Sequence, residues 1–200
     1  MRVWYLPLEP YRERYTDRLG AWTEAAFARH GFNVTRFHGE PLTGTIQTGV
    51  ALDAHGRCHW ALTQMANVVK ALRTETPDAF YLDDLFHPGY EALPYILEQA
   101  GADVPIYARN HAQSVDQYDF TFDMRNWMRP FEQMVDHTAE ALFASSEMHV
   151  SLMRVAGLEG PVFNVGHPFD PEDVRRRVHS IRPRAQRSRR VLWSSRWDHE

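Results

Sequence analysis

Short apolar runs alternate along the chain with longer segments in which apolar residues recur every three or four positions. The strand-like runs occupy residues 2–6, 33–37, 79–82, 105–108, 141–144, 161–165 and 191–194. Between the runs, sets such as Leu19, Trp22 and Ala26 have the spacing of one helix face. Strands that alternate with helices in this way predict an α/β, Rossmann-like domain, in which helices cover both faces of a parallel sheet.

Six helices are predicted between these strands. They are expected at residues 15–30, 59–73, 90–100, 124–138 and 171–178, with a further helix that Ser145 or Ser146 caps and that runs through Ala156. Residues 43–57 are rich in Gly, Thr and Asp and predict a long loop instead.

The spacing of these elements predicts one domain and the beginning of another. Residues 1–180 form the predicted Rossmann-like domain, and the Pro- and Arg-rich residues 181–190 form a linker. Residues 191–200 then contain a new apolar run, which we expect to be the first strand of a second, incomplete domain.

The composition is that of an ordinary globular chain, with 44% hydrophobic and 24% charged residues. Apolar stretches are interrupted by charges or proline, so none predicts a bilayer-spanning helix, and the first residues lack the pattern of a signal peptide. Cys58 is the only cysteine, which excludes an intrachain disulfide. We therefore expect a cytoplasmic protein that does not associate with membranes.

Arginines are concentrated near the end of the chain, although the net charge is −4. Eight of them lie between Arg175 and Arg190. They form either a patch for phosphate groups or an ordinary solvated surface, because Lys70 is the only lysine and arginine fills almost every other positive position.

Polar residues follow the predicted strands at the ends where parallel sheets bind ligands. They are Glu9, Tyr11 and Arg12; Asp83, Asp84 and His87; Asn110, His111 and Gln113; Ser145, Ser146 and Glu147; Gly166, His167 and Pro168; and Arg196. Their shared position at one edge of the sheet predicts a binding site there.

The chemistry of these residues suits the transfer of a sugar to a hydroxyl group. Asp83, Asp84 or His111 could accept the proton of the attacking hydroxyl. Arg196 could neutralise a departing diphosphate. The alternative for the two aspartates is a solvated loop or a helix cap, and for His111 a loop histidine that is only hydrogen-bonded.

Several other active-site motifs are missing. Ser146 lacks the flanking glycines of a hydrolase nucleophile and reads as a helix cap. No Gly-rich dinucleotide fingerprint follows the first strand, and no Walker A motif is present. His55 and His59 are four residues apart, but Gly56 between them argues against a preformed metal site.

The end of the chain resembles a segment of GT-B type glycosyltransferases of the GT4-like group. Residues 190–200 read RVLWSSRWDHE and are similar to the strand that opens their nucleotide-binding domain, with Arg196 at the position of the family arginine. Ser195 stands where a glycine is usual, and the usual lysine would fall after Glu200. Residues 144–147 (ASSE) resemble the Ser-Glu helix start of the same family.

Nearly the whole chain is similar to phage-encoded glycosyltransferases of this superfamily. The similar segments are residues 15–19 with Trp22, 52–57, 83–89, 91–96 and 127–129. The first loop departs from the pattern, because residues 6–10 (LPLEP) lack the paired glycines that relatives often carry there.

The resemblance implies a metal-independent, hexosyltransferase-like enzyme without a bound cofactor. Its co-substrate would be a nucleotide-diphosphate sugar, and a phage-encoded enzyme would act in the host cytoplasm. Some relatives glucosylate hydroxymethylated bases in phage DNA, so DNA is one conceivable acceptor. A non-catalytic binding module of GT-B ancestry and another nucleotide-dependent α/β enzyme, such as an oxidoreductase, are the alternatives. The sugar, the acceptor, the stereochemical outcome and the oligomeric state are left open.

Overall fold

The computed structural model of the chain describes residues 1–10, 16–42, 53–111, 114–119 and 121–181. The chain divides into two compact units, Met1–Pro168 and Phe169–Glu200. All of the strands in the described part belong to the first unit. The predicted strand at residues 191–194 and most of the predicted linker lie outside the described residues.

The first unit contains a six-stranded parallel sheet in the order β2-β1-β3-β4-β5-β6. The strands are β1 (Arg2–Leu6), β2 (Asn33–Arg36), β3 (Ala79–Leu82), β4 (Ile106–Arg109), β5 (Ala141–Ala144) and β6 (Val162–Asn164). The predicted parallel Rossmann-like sheet is therefore confirmed.

Helices connect the strands, as the spacing predicted. They are α1 (Thr16–Arg29), α2 (Ala54–Ala71), α3 (Ala92–Ala100), α4 (Arg125–Thr138) and α5 (Glu147–Val155), and a short 3-10 helix (Phe122–Met124) precedes α4. The second unit contributes α6 (Pro171–Ile181).

The central strands are almost continuously apolar because both faces of the sheet are covered. In β1, Val3, Trp4, Tyr5 and Leu6 are all buried, whereas the edge strand β2 alternates between exposed and partly buried residues. The apolar interior continues into the helices through buried residues such as Val68 on α2. An unbroken apolar run thus marks a strand inside the sheet.

Two helix boundaries follow directly from the side chains at their ends. Ser146 caps α5, because its Oγ accepts a hydrogen bond of 3.1 Å from the backbone N of His149. Gly101 ends α3 with a φ of 60°, in the left-handed region that glycine tolerates best. The cap expected at Ser145 or Ser146 is Ser146.

One boundary differs from the sequence-based prediction. The helix expected from residue 59 begins at Ala54, so the predicted loop at residues 43–57 ends earlier than expected. Asp53 caps this helix by accepting a hydrogen bond of 3.0 Å from the backbone N of Gly56. The early start places Arg57 in the first turn of α2.

Candidate functional site

β1 and β3 lie next to each other where the order of the strands across the sheet reverses. β1 pairs with β2 on one side and with β3 on the other. The connections after β1 and β3 therefore diverge and leave a crevice between them, which is where ligands bind in open α/β sheets. A small pocket, partly open to solvent, lies there. It is lined by Leu6, Pro7, Leu8, Glu9, Arg57, Trp60, Ala61, Asp84, Phe86, His87 and Pro88.

A buried cation lies against two carboxylates in this crevice. Arg57 is 8% exposed and reaches from α2, where its Nη1 lies 3.4 Å from Oε1 of Glu9. Its Nη2 forms an ion pair with Asp84 and donates a 2.8 Å hydrogen bond to the carbonyl oxygen of Phe86. Arg57 thus joins the segment that follows β1 to the segment that follows β3.

The sequence-based prediction does not include Arg57 among the site residues, because it places residues 43–57 in a loop. The signal that could have found it is Asp53, a preferred helix-capping residue directly before Ala54. A helix starting there carries Arg57 toward the sheet, whereas a loop gives it no defined position.

Asp84 uses both of its carboxylate oxygens within the crevice. Oδ2 pairs with Arg57, and Oδ1 accepts a 3.1 Å hydrogen bond from the backbone N of Phe86. These contacts hold the carboxylate in one orientation at the end of β3.

Asp83, the preceding residue, has a different environment. Its side chain is completely buried, and Oδ2 accepts a hydrogen bond from the hydroxyl of Tyr5. Burial raises the pKa of Asp83 to about 7, although the hydrogen bond from Tyr5 and the charge of Arg109 act against this shift. In this structure Asp83 joins β3 to β1 inside the protein and does not line the crevice.

His87 also lines the crevice. Its Nε2 donates a 2.7 Å hydrogen bond to Oε1 of Gln64, whose Nε2 donates to the carbonyl oxygens of Pro7 and Phe37. Burial lowers the pKa of His87 to about 4, so the imidazole is neutral at pH 7. The predicted binding residue His87 therefore lines the crevice and also anchors the loop after β1.

His111 lies at the same edge of the sheet, after β4. Burial lowers its pKa to about 4, while the negative charge of Asp84 raises it and the positive charges of Arg109 and Arg57 lower it. A hydrogen bond with the backbone of Asp83 also acts on this pKa and places His111 at the end of β3. A neutral imidazole beside a fixed carboxylate can exchange hydrogen bonds with the hydroxyl groups of a substrate.

Asn110 and Arg109 are buried at the end of β4. Arg109 donates hydrogen bonds of 3.1 and 2.8 Å to the carbonyl oxygen of Gly166, which links β4 to the segment after β6. Asn110 is 1% exposed, and its side-chain amide has no hydrogen-bond partner among the described residues. Both residues are thus at the predicted edge, but neither belongs to the pocket between β1 and β3.

Three more predicted residues lie at the ends of β5 and β6. The backbone N of Ser145 donates a 3.4 Å hydrogen bond to Nδ1 of His149. Glu147 is exposed, and its Oε1 accepts a 2.8 Å hydrogen bond from Asn164. Ser145, Glu147 and Gly166 therefore share the carboxyl edge of the sheet but stand two or more strands away from the crevice.

The remaining predicted binding residues, Tyr11, Arg12, Gln113 and Arg196, fall outside the described residues. In the arginine-rich segment, α6 carries Arg175, Arg176 and Arg177, each of which forms an ion pair with Glu172 or Asp173 on the same helix. Within the described ranges there is no group of three His, Cys, Asp or Glu side chains that could hold a metal ion. No helix in that part of the chain is long and apolar enough to span a bilayer.

No protein-family model matches this sequence, and no curated protein matches it. Among solved structures, the chain is similar to a sucrose-phosphate synthase from Thermosynechococcus elongatus, with a TM-score of 0.54 and 12% sequence identity. The match covers 90% of this chain and 97% of that one. The similarity extends over nearly all of both chains and supports the Rossmann-like fold expected from the resemblance to GT-B type glycosyltransferases.

Proposed function

We propose that this protein transfers a sugar from a nucleotide-diphosphate sugar to a hydroxyl acceptor. The observation that carries the proposal is the carboxylate of Asp84, which Arg57 and the backbone of Phe86 hold in the crevice between β1 and β3. A fold shared with a sucrose-phosphate synthase gives this carboxylate its context. The more specific resemblance to GT4-like and phage-encoded enzymes remains part of the proposal.

The proposed reaction forms one bond and breaks another at the anomeric carbon. The acceptor oxygen bonds to that carbon, and the bond from the carbon to the diphosphate oxygen breaks, so that a nucleoside diphosphate leaves. The hydroxyl proton passes to a nearby base, for which Asp84 is the first candidate because its carboxylate lies in the crevice. His111 is the second candidate, either as a base or as a hydrogen-bond partner of the donor sugar.

Asp83 has a supporting role in this scheme. Its carboxyl group is completely buried and accepts a hydrogen bond from Tyr5, so it fixes the end of β3 directly before Asp84. The candidate bases in this scheme are therefore Asp84 and His111, and Asp83 positions the end of β3.

The leaving diphosphate requires positive charge or backbone N–H groups. Arg196 is the candidate for this contact because of its position in the motif of residues 190–200. We propose that the enzyme requires neither a metal ion nor a bound cofactor, as in the class that it resembles.

The test is turnover by the full-length protein with a panel of nucleotide sugars. Release of nucleoside diphosphate, followed by phosphorus NMR, should occur with at least one donor and should increase when its acceptor is added. Saccharides and DNA containing hydroxymethylated bases form separate acceptor arms. Binding of a nucleotide sugar without turnover in any arm would favour a non-catalytic module of the same ancestry.

A further inference from the structure

Aromatic side chains extend from the crevice to the protein surface. Phe86 lines the pocket, and its ring lies 5.7 Å from that of Trp127 and 5.6 Å from that of Phe131, measured between centroids. Trp127 and Phe131 are four residues apart on α4 and therefore lie on the same side of that helix. The three rings form one cluster, which we call the aromatic shelf.

The outer member of the shelf, Trp127, is about half exposed. Trp127 is 49% exposed, whereas the next residue, Met128, is completely buried. Stability alone does not require an indole at this position, because a large part of its surface remains in water. A partly exposed tryptophan beside a crevice is the kind of surface that ligands cover.

The inner member of the shelf is fixed by the charged residues of the crevice. The backbone N of Phe86 donates to Asp84, and the carbonyl oxygen of Phe86 accepts from Arg57. The guanidinium carbon of Arg57 also lies 5.4 Å from the centroid of the Phe86 ring. Phe86 therefore joins the charged groups of the crevice to the aromatic shelf, whose indole is partly exposed to solvent.

We propose that the aromatic shelf binds the acceptor and that the acceptor is a saccharide. This inference rests on the proposed function and adds a substrate class to it. A pyranose ring exposes C–H groups on its faces and hydroxyl groups around its edge. Trp127 would cover one face, while Asp84 and His111 would meet hydroxyl groups at the edge, one of which becomes the nucleophile.

The experiment measures acceptor binding and acceptor KM in the full-length protein. Methyl glucopyranoside, methyl galactopyranoside and maltose serve as saccharide probes, and 5-hydroxymethyl-2′-deoxycytidine serves as the nucleoside probe. Saturation-transfer NMR should show the strongest signals on the ring C–H protons of one saccharide. Trp127→Ala should weaken its binding and raise its KM by about three- to tenfold, the range expected for a lost aromatic contact.

Three matched variants separate stacking from general damage. Trp127→Phe retains a ring and should stay within about twofold of the wild type, and Trp127→Leu, which is apolar but has no ring, should behave like Trp127→Ala. Tyr95→Ala removes an aromatic residue that is 68% exposed on α3 and has no ring contact in the described part of the chain, so acceptor KM should not change. The KM of the nucleotide sugar should be the same in all four variants.

The outcomes distinguish the shelf from the reaction. Wild-type acceptor KM in both Trp127→Ala and Trp127→Leu, with turnover present, would overturn the shelf and leave the proposed function intact. If the nucleoside binds and no saccharide binds, the proposal of a saccharide acceptor is overturned, whereas the proposed function stands. Absence of donor turnover in the wild-type protein would overturn both proposals together.

Discussion

Asp83 and Asp84 are adjacent in the sequence, yet they occupy two different regions of the molecule. Asp83 belongs to the interior, where its buried carboxyl group bonds to Tyr5 and its pKa is raised to about 7. Asp84 belongs to the crevice, where Arg57 and the backbone of Phe86 hold its carboxylate.

The difference shows how one strand end can provide both support and chemistry. Asp83 is buried and bonded to a neutral hydroxyl group, whereas Asp84 faces a guanidinium group in the crevice. Neighbouring groups whose environments differ in this way commonly divide their roles. We therefore propose that Asp83 supports the structure and that Asp84 contacts the substrate.

The largest expected effect on stability comes from removing the cation of the crevice. Arg57→Ala removes the buried cation that pairs with Glu9 and Asp84 and should lower the free energy of unfolding by about 3–5 kcal/mol. Urea denaturation measures this loss. The control is Arg175→Ala, which removes an exposed ion pair with Glu172 and should cost less than about 1 kcal/mol. Equal losses in the two variants would show that the buried pairing is not formed in solution.

The second prediction concerns the pH dependence that Asp83 contributes. Because its pKa in the folded protein is raised to about 7, its contribution to stability is complete below about pH 4 and is lost as the pH rises through about 7. The pKa values of His87 and His111 are lowered to about 4, so these groups act in the opposite direction between about pH 4 and pH 6.5. The wild-type curve alone therefore combines opposing contributions.

Comparison with Asp83→Asn isolates the contribution of Asp83, because asparagine has nearly the same shape and does not titrate. As the pH rises from 4 to 7, the free energy of unfolding of this variant should increase relative to that of the wild type, by an amount on the order of 4 kcal/mol in total. Urea unfolding of both proteins at several pH values in this interval measures the gain. A difference that does not change with pH would contradict a neutral, buried Asp83.

The smallest effect tests the cap of α5. Ser146→Ala removes the acceptor for the backbone N of His149 and should lower the free energy of unfolding by about 1 kcal/mol. Ser145→Ala is the matched control, because within the described residues Ser145 forms a hydrogen bond through its backbone and not through its side chain. The loss in the free energy of unfolding should be close to zero in this variant. The opposite ranking in thermal unfolding would assign the cap to Ser145.

The sheet could be predicted from the sequence because buried parallel strands are short, apolar and separated by helices. The predicted runs at residues 79–82 and 141–144 coincide with β3 and β5. Polar residues follow each strand, and this pattern also predicted that the candidate site lies at the carboxyl edge of the sheet. These features depend on local patterns, which the sequence displays directly.

The partners within the crevice could not be predicted in the same way. Arg57 pairs with a residue 48 positions earlier and with another 27 positions later, and no local pattern specifies either contact. The contrast between Asp83 and Asp84 also depends on Tyr5, which lies on a different strand. Burial and long-range contacts decide these properties, and they emerge only when the strands are assembled.

The measurement that tests the account most directly compares Asp83→Asn, Asp84→Asn and His111→Ala in the full-length protein. Turnover and nucleotide-sugar affinity are determined for each variant with the donor that the wild type uses. Asp84→Asn should lower turnover by about a hundredfold or more while donor affinity persists, as expected for a lost general base. Wild-type turnover in all three variants would show that this edge of the sheet is structural and that the site lies elsewhere.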